Sequence, residues 1–243
     1  MRHAVFCGTR NIYGDMETAA KALVSNSTVD AIHFLIEDAK FPTPLPDIVR
    51  CHDVSGQRWL DRDGPNANSR WSWMVLMRAA LCHVLEDVDV VLSLDCDLTI
   101  HDDMDPIWDI PLDGCYFAGV MEHKKSAGGL QYANMGVCLF NLAKLRDGKA
   151  DEVIGVLNSR KYAFPEQDVF NYLCQGRIAE MPKKFNDMWF NVPVHFPTVT
   201  HHAARRRETW EDIPEVVQYR RMSWDEALAH HEDKVLEATC ASS

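Results

Sequence analysis

Short apolar runs alternate along the chain with longer segments in which apolar residues recur at helical spacing. The first apolar run covers residues 4–7, and helical spacing over residues 16–25 separates it from a second run at 30–36. Strand, helix and strand in this order form the building unit of a parallel sheet, so the opening of the chain predicts an α/β domain. Prolines at 42, 44 and 46 exclude both a helix interior and a central strand, and predict a loop.

The same alternation continues to the end of the chain. Ser69 is predicted to cap a helix that carries the Trp and Met side chains of residues 71–77 into the core and continues to Val84. Further strands are predicted at 115–120, 132–142 and 177–182, and further helices at 149–158, from 164 onward and at 223–237. Without a linker or an internal repeat, the pattern predicts one α/β domain over residues 1–243, with a mostly parallel central sheet flanked by helices.

The most informative stretch is 88–100, a β-branched apolar run that is interrupted by Asp95 and Asp97. Such a run predicts a strand that is buried on both faces. Alternate residues of a strand point the same way, so we expect the two carboxylates to face one point at the end of the sheet where ligands bind. Two acids in this arrangement need a cation or a shared proton. The alternative is a strand that runs into an acidic turn.

A divalent cation could be held by these two acids together with an imidazole. Carboxylate oxygens suit Mg²⁺ and Mn²⁺, and an added histidine favours Mn²⁺. His201 or His202 could supply the imidazole, next to the concentrated basic run at 205–207. A cation and an arginine stabilise a departing phosphate, so the residues favour an enzyme acting on a nucleotide sugar, a nucleotide or a phosphate ester. In the alternative interpretation, these histidines and arginines form a solvated surface.

Composition narrows the class of protein. The formal net charge of −11 argues against a nucleic-acid-binding surface, which needs clustered Lys and Arg. The sequence contains no apolar stretch long enough to span a membrane and no signal peptide before the first apolar run, so none is predicted. Eight scattered cysteines, without a Cys-x-x-Cys pair, favour a reducing compartment, and we expect a cytoplasmic protein.

Several ordered motifs carry a resemblance to a known family. They comprise the strand and loop at 5–11, Leu76-Met77-Arg78-Ala79, Ser93-Leu94-Asp95-Cys96-Asp97, Ala133-Asn134-Met135-Gly136-Val137-Cys138-Leu139-Phe140-Asn141-Leu142, Glu166-Gln167-Asp168, Lys184-Phe185-Asn186, and His201 with Arg207 six residues later. In this order they resemble glycosyltransferase family 8, the retaining GT-A enzymes that include glycogenin and bacterial lipooligosaccharide galactosyltransferases. The resemblance covers most of the chain. Arg78 lies among apolar residues and therefore needs an anionic partner. The resemblance places it in the site, and the alternative is a structural ion pair.

The resemblance implies a single Rossmann-like GT-A domain over 1–243. Its donor-binding half would cover about residues 1–100, and its acceptor side and carboxyl-terminal metal-binding part about residues 101–243. The implied metal ligands are Asp95, Asp97 and His201, with His202 as the alternative histidine. The implied donor-binding residues are Cys7, Gly8, Thr9, Tyr13, Arg78, Asp95, Cys96, Glu122, Asn134, Gly136 and Arg207. The implied catalytic residues are Glu166, Gln167 and Asp97.

The implied activity is Mn²⁺-dependent transfer of a hexose, glucose or galactose, from a UDP-sugar with retention of configuration; Mg²⁺ could replace Mn²⁺. The acceptor could be a saccharide, a glycolipid, a protein or a nucleic-acid base, and the oligomeric state is left open. The sugar could keep its configuration in two ways. The acceptor could attack from the face that the leaving group leaves, or Glu166 or Gln167 could attack the sugar first. Two alternatives are a haloacid-dehalogenase-type phosphohydrolase, with Asp95 as nucleophile and Asp97 as acid/base, and a nucleotide-sugar-binding domain without transfer.

Overall fold

A seven-stranded sheet forms the centre of the molecule and consists of β1 His3–Cys7, β2 Ala31–Ile36, β3 Val49–Asp53, β4 Val90–Leu94, β6 Phe117–Met121, β7 Ala133–Asn141 and β8 Ile178–Glu180. Their order across the sheet is β3-β2-β1-β4-β7-β6-β8. The structure is a computed structural model that describes residues 1–126, 129–202 and 210–241. Every strand of this sheet except β7 runs in the same direction, and β7 pairs antiparallel with β4 and β6. The predicted mixed α/β architecture with a mostly parallel sheet is therefore confirmed.

A second sheet of three short strands lies at one end of the main sheet. It consists of β5 Leu98–Ile100, β9 Asp187–Met188 and β10 Val199–His201, with β10 in the middle. The expected strand at 88–100 is therefore wrong as a single element, because it divides into β4 of the main sheet and β5 of the small one. The three residues between them, 95–97, turn the chain from one sheet to the other.

Helices cover both faces of the main sheet. The α-helices are α1 Tyr13–Asn26, α2 Leu81–Val84, α3 Leu142–Leu145, α4 Lys149–Ser159, α5 Pro165–Leu173, α6 Pro214–Arg221 and α7 Trp224–Ala241. Short 3-10 helices span Arg10–Ile12, Trp73–Ala80, Asp105–Asp109 and Lys183–Phe185. Within the part of the chain that the structure describes, no helix has both the length and the apolarity to cross a membrane.

The core lies in two layers because neighbouring residues of a central strand face opposite sides. Val5 and Val91 pack on the face covered by α2, α4 and α5, whereas Phe6 and Leu92 pack on the face covered by α1. Each of these four side chains is fully buried. Strands buried on both faces read as continuous apolar runs, which is why β1 and β4 were predictable from the sequence.

Two of the predicted helices begin in different ways. At α7, predicted as a helix over 223–237, the Ser223 hydroxyl accepts from the backbone N–H of Glu226 at 3.2 Å, and a Glu226 carboxylate oxygen accepts from the N–H of Ser223 at 2.7 Å, which forms a capping box. The expected cap at Ser69 is wrong. Ser72 caps the element instead by accepting from the N–H of Met74, and Trp73–Ala80 form a 3-10 helix before α2 begins.

Candidate active site

A cavity of about 580 Å³ opens where the carboxyl ends of β1 and β4 meet the start of β7. Its wall includes Cys7 from the end of β1, residues 95–97 that follow β4, and residues 134–136 of β7. The start of α5 and the end of β10 complete it with Glu166, Gln167 and His201. Residues from distant parts of the chain therefore converge on one concave surface.

Two carboxylates and one imidazole meet inside this cavity. The Nε2 atom of His201 lies 3.1 Å from an oxygen of Asp95 and 3.3 Å from an oxygen of Asp97. One potential ligand atom from each residue falls within 4.8 Å of the other two. Two oxygens and one imidazole nitrogen suit Mn²⁺ or Mg²⁺ as a donor set, so these residues fit a divalent cation.

Backbone pairing brings these three residues together. The N–H of Asp95 donates to the carbonyl of Gly136 at 2.8 Å, and the N–H of His202 donates to the carbonyl of Asp97 at 2.9 Å. The antiparallel register of β5 and β10 places His201 opposite Leu98, one residue after Asp97. The two acids therefore converge through a turn between two sheets, although the sequence predicted that they would converge along one strand.

His201, rather than His202, faces the acids. The side chain of His201 is 4% exposed, and its Nδ1 atom has no hydrogen-bond partner among the described residues. His202 turns away, with Nε2 at 3.1 Å from the Thr99 hydroxyl and its ring 5.3 Å from the ring of Trp210.

The charges at this point are strongly coupled. Burial alone would lower the pKa of His201, but the charge of Asp97 and the hydrogen bonds to Asp95 and Asp97 outweigh it and raise the pKa to about 10. Burial would raise the pKa of Asp95, but Arg78 and His201 outweigh it and lower the pKa. Without a metal ion, the imidazolium supplies the positive charge that two adjacent carboxylates require.

Arg78 links the acidic turn to α5. Its guanidinium donates to the Ser93 hydroxyl at 3.1 Å, to Glu166 Oε1 at 3.1 Å, and to a carboxylate oxygen of Asp95. Arg78 is 5% exposed, so the two acids neutralise a buried cation, as its apolar neighbours in the sequence required. Burial raises the pKa of Glu166 to about 6, although the charge of Arg78 opposes the increase.

A second network surrounds Glu122. One oxygen of Glu122 accepts from the Asn134 amide at 3.0 Å and from the Gln167 amide at 2.9 Å. The carbonyl oxygen of the Gln167 side chain accepts from the N–H of Met135 at 3.0 Å, and its nitrogen also donates to the Tyr132 hydroxyl at 3.1 Å. All of these polar groups are fixed by partners before any ligand arrives.

Most of the residues singled out by the sequence line this cavity. They are Cys7, Arg78, Asp95, Cys96, Asp97, Glu122, Asn134, Gly136, Glu166, Gln167 and His201. Burial raises the pKa of Cys7 to about 12, and that of Cys96 well above its usual value, so both thiols line the cavity as neutral groups.

Three of the expected donor-binding residues, Gly8, Thr9 and Tyr13, do not line the cavity. Tyr13 is buried, its ring lies 5.0 Å from that of Phe41, and its hydroxyl donates to Asp38 at 3.0 Å. Arg207 lies outside the described residues.

The cavity also contains residues that the sequence did not identify. Trp71, expected in the core, lines it together with Arg70, Lys125, Phe164 and Trp189. Their positions in the sequence could have identified two of them, because Trp71 follows the polar segment 61–70 and Phe164 immediately precedes the start of α5.

Comparison with known proteins identifies the family. The sequence profile described as glycosyl transferase family 8 matches residues 18–192, well over half of the chain. The chain belongs to this family. A lipopolysaccharide 1,2-glucosyltransferase of Escherichia coli (strain K12) is 29% identical to it over 116 residues, which is 42% of this chain and 34% of that relative. The matched part is thus about one third of the relative's length.

Solved structures have the same fold. The galactosyltransferase LgtC, in complex with donor and acceptor sugar analogues, superimposes with a TM-score of 0.70 at 21% identity, covering 94% of this chain and 99% of that one. The glycosyltransferase GlyE of Streptococcus pneumoniae TIGR4 superimposes with a TM-score of 0.69 at 18% identity, over 96% of this chain and 64% of its own. The expected GT-A fold is confirmed.

Proposed function

We propose that the protein is a retaining, Mn²⁺-dependent glycosyltransferase that moves glucose or galactose from a UDP-sugar to an acceptor. The observation that carries this proposal is the meeting of Asp95, Asp97 and His201 in the same cavity as Glu166 and Gln167. A group of side chains that fits a divalent cation, in a cavity of about 580 Å³ lined by both polar and aromatic residues, suits a sugar joined to a diphosphate. Membership of glycosyltransferase family 8 supports the same reaction class.

Asp95, Asp97 and His201 would hold the ion, with Mg²⁺ as the alternative. A bound Mn²⁺ would supply positive charge to the diphosphate as it leaves the sugar. Arg207, which the resemblance aligns with a diphosphate-binding residue, would add to that charge. The oxygens of Asp95 and Asp97 already point at the protonated imidazole, so an ion can replace a proton without a new arrangement of the acids.

Glu122, Asn134 and Gln167 would orient the sugar. Mutual hydrogen bonds hold the three side chains in place, so Glu122 and Asn134 can bind sugar hydroxyls without losing further rotamer entropy while Gln167 holds Glu122. Arg78 would hold Glu166 at the edge of this pocket. Because the hydrogen-bonding groups of the Gln167 amide are engaged with protein, the structure favours a positioning role for Gln167.

Glu166 would carry a negative charge at neutral pH, because its pKa of about 6 lies below 7. It can therefore stabilise the positive charge that develops on the sugar ring, or attack the sugar carbon directly. Glu166→Gln separates these roles. A stabilising carboxylate leaves slow turnover after the substitution, whereas an attacking carboxylate leaves none and should produce a trapped sugar–protein adduct in the unmodified chain by mass spectrometry.

Hydrolysis of UDP-glucose and UDP-galactose provides a test that requires no acceptor. We expect slow release of UDP with Mn²⁺, no release with excess EDTA, and loss of release in Asp97→Ala. Asp102→Ala, at an exposed acid in the turn after β5, is the matched control.

The alternatives predict other results. Tight UDP binding without any turnover would indicate a nucleotide-sugar-binding domain. Rapid hydrolysis of a generic phosphate ester with Mg²⁺ would indicate a phosphohydrolase and overturn the proposal. A thermal-shift panel of nucleotide sugars, with and without Mn²⁺, would identify the donor, since a ligand that binds only the folded state raises its stability.

A further inference from the structure

Two aromatic rings and two cations form one edge of the cavity. We define this edge, the rim, as Arg70, Trp71, Lys125 and Phe164, all of which line the cavity. The rings of Trp71 and Phe164 lie 6.3 Å apart with 35° between their planes. The Arg70 guanidinium lies 4.4 Å from the centre of the Trp71 ring, and the Lys125 ammonium lies 4.0 Å from that of Phe164.

Neighbouring polar side chains hold the backbone of the rim in place. The Ser69 hydroxyl accepts from the N–H of Trp71 at 3.2 Å and donates to the carbonyl of Trp71 at 3.1 Å. The N–H of Phe164 donates to the Asp168 carboxylate at 2.9 Å, immediately before α5 begins. Both rings are half-buried and line the cavity, so each exposes part of its surface to it. Fixed aromatic faces of this kind suit the apolar face of a sugar ring.

The two cations differ in their partners. The Lys125 ammonium is 3.2 Å from a carboxylate oxygen of Glu122 and 3.2 Å from the Tyr132 hydroxyl, so its charge is balanced within the protein. The exposed Arg70 contacts rings but no carboxylate among the residues that the structure describes. In a chain with a net charge of −11, a guanidinium stacked at a cavity edge without an acid beside it is an available anion-binding group.

We propose that the rim is an acceptor subsite for a saccharide that carries an anionic group, a phosphate or a carboxylate, with Arg70 binding the anion and Trp71 and Phe164 packing on the sugar ring. This inference rests on the proposed function, because it places the acceptor in the same cavity as the residues proposed to hold the metal. It narrows the acceptor to an acidic glycan. Transfer to a protein side chain or to a nucleic-acid base would contradict it.

Binding of three simple sugars tests the inference directly. Galactose, galactose 6-phosphate and galacturonate are titrated into the protein with saturating UDP and Mn²⁺, and Kd is measured by calorimetry. We expect one or both anionic sugars to bind more tightly than galactose. The Arg70→Gln substitution should raise the Kd of the preferred anionic sugar by about tenfold and leave that of galactose nearly unchanged, because a charge-assisted hydrogen bond is lost.

The chain offers a matched control. Arg62 stacks on Trp73, with 3.7 Å between the guanidinium carbon and the ring centre, and neither residue lines the cavity. Arg62→Gln therefore removes the same charge and the same type of ring contact elsewhere, and should keep the preference for the anionic sugar. Trp71→Ala should weaken all sugars that bind, since it removes the shared packing surface.

Three outcomes would overturn the inference. The first is equal or undetectable binding of all three sugars, and the second is a preference for the anionic sugar that survives in Arg70→Gln. The third is a loss of UDP affinity in Arg70→Gln as large as the loss of affinity for the anionic sugar, which would assign Arg70 to the donor. Failure of the proposed function would be visible separately, because the unmodified chain would then not bind UDP in a Mn²⁺-dependent manner.

Discussion

The ring of His201 packs against the backbone of Gly136 so closely that a Cβ at position 136 would lie 2.2 Å from its Cε1 and 2.4 Å from its Nδ1. No side chain fits there while His201 faces the two acids. The glycine of the motif at 133–142 thus has a physical explanation in this chain, since it leaves room for the imidazole.

Gly136→Ala should therefore displace the His201 ring. We expect the Kd for Mn²⁺ to rise at least about tenfold, as found when residues that orient a metal ligand are changed. Isothermal titration with Mn²⁺ measures this. Gly155→Ala is the control, because a Cβ at this site in α4 would meet nothing within 4 Å. Unchanged Mn²⁺ affinity in Gly136→Ala would argue against His201 as a ligand.

Asp95→Asn tests whether this residue serves the metal or acts as a nucleophile. The amide keeps the size of the side chain but removes its charge, so Mn²⁺-dependent UDP binding should weaken by about tenfold or more. UDP titrations with Mn²⁺ and with EDTA measure the change, and exposed Asp102→Asn provides the comparison. A nucleophile would give the opposite pattern, with intact binding and no turnover.

Arg78→Gln should destabilise the fold. The substitution leaves Asp95 and Glu166 near one another without the buried guanidinium that neutralises them, and breaking a buried ion pair in this way costs about 3–5 kcal/mol. Urea unfolding measures the loss. Arg10→Gln, which removes an arginine from an exposed pair with Asp38, should change stability little. Equal effects of both variants would contradict the structural role of Arg78.

Acid should destabilise the edge of the sheet formed by β1, β2 and β3. His33 Nε2 lies 3.0 Å from His3 Nδ1, and His33 Nδ1 lies 2.9 Å from His52 Nε2. Burial, with the charges of His52, His3 and Arg50, lowers the pKa of His33 to about 3, below its ordinary value of 6.5. The neutral form is therefore favoured by folding, and its contribution is complete above pH 6.5 and declines as the pH falls towards 3.

Urea unfolding between pH 8 and pH 5 provides the measurement for His33. Stability should fall across this range in the unmodified chain and fall less steeply in His33→Gln. Exposed His123→Gln should retain the steeper dependence. Parallel curves for all three proteins would show that His33 does not contribute to it.

The central strands and several site residues were predictable from the sequence, whereas one edge strand was not. β1 and β4 are apolar on both faces, and Arg78, Asn134 and Gln167 belong to motifs whose order along the chain was informative. β3 was missed because it is an edge strand with the sequence Val-Arg-Cys-His-Asp, of which only Val49 is buried. Its polar residues gave no alternating apolar signal.

The site was only partly predictable because some of its features depend on tertiary packing. Apolar spacing indicates that Trp71 belongs to a hydrophobic face, but it does not indicate whether protein or a cavity covers that face. Similarly, the spacing of Asp95 and Asp97 predicted convergence along one strand. The observed convergence depends on β10, whose position beside β5 follows from pairing across about one hundred residues of intervening chain.

The separation along the chain between the acidic turn and β10 has a thermodynamic consequence. An ion held by Asp97 and His201 would cross-link two segments about one hundred residues apart, and closing so long a loop restricts the unfolded chain. The energy of ion binding would then contribute directly to folding as well as to chemistry. Loss of the ion would loosen the small sheet first, because β5 and β10 each contain only three residues.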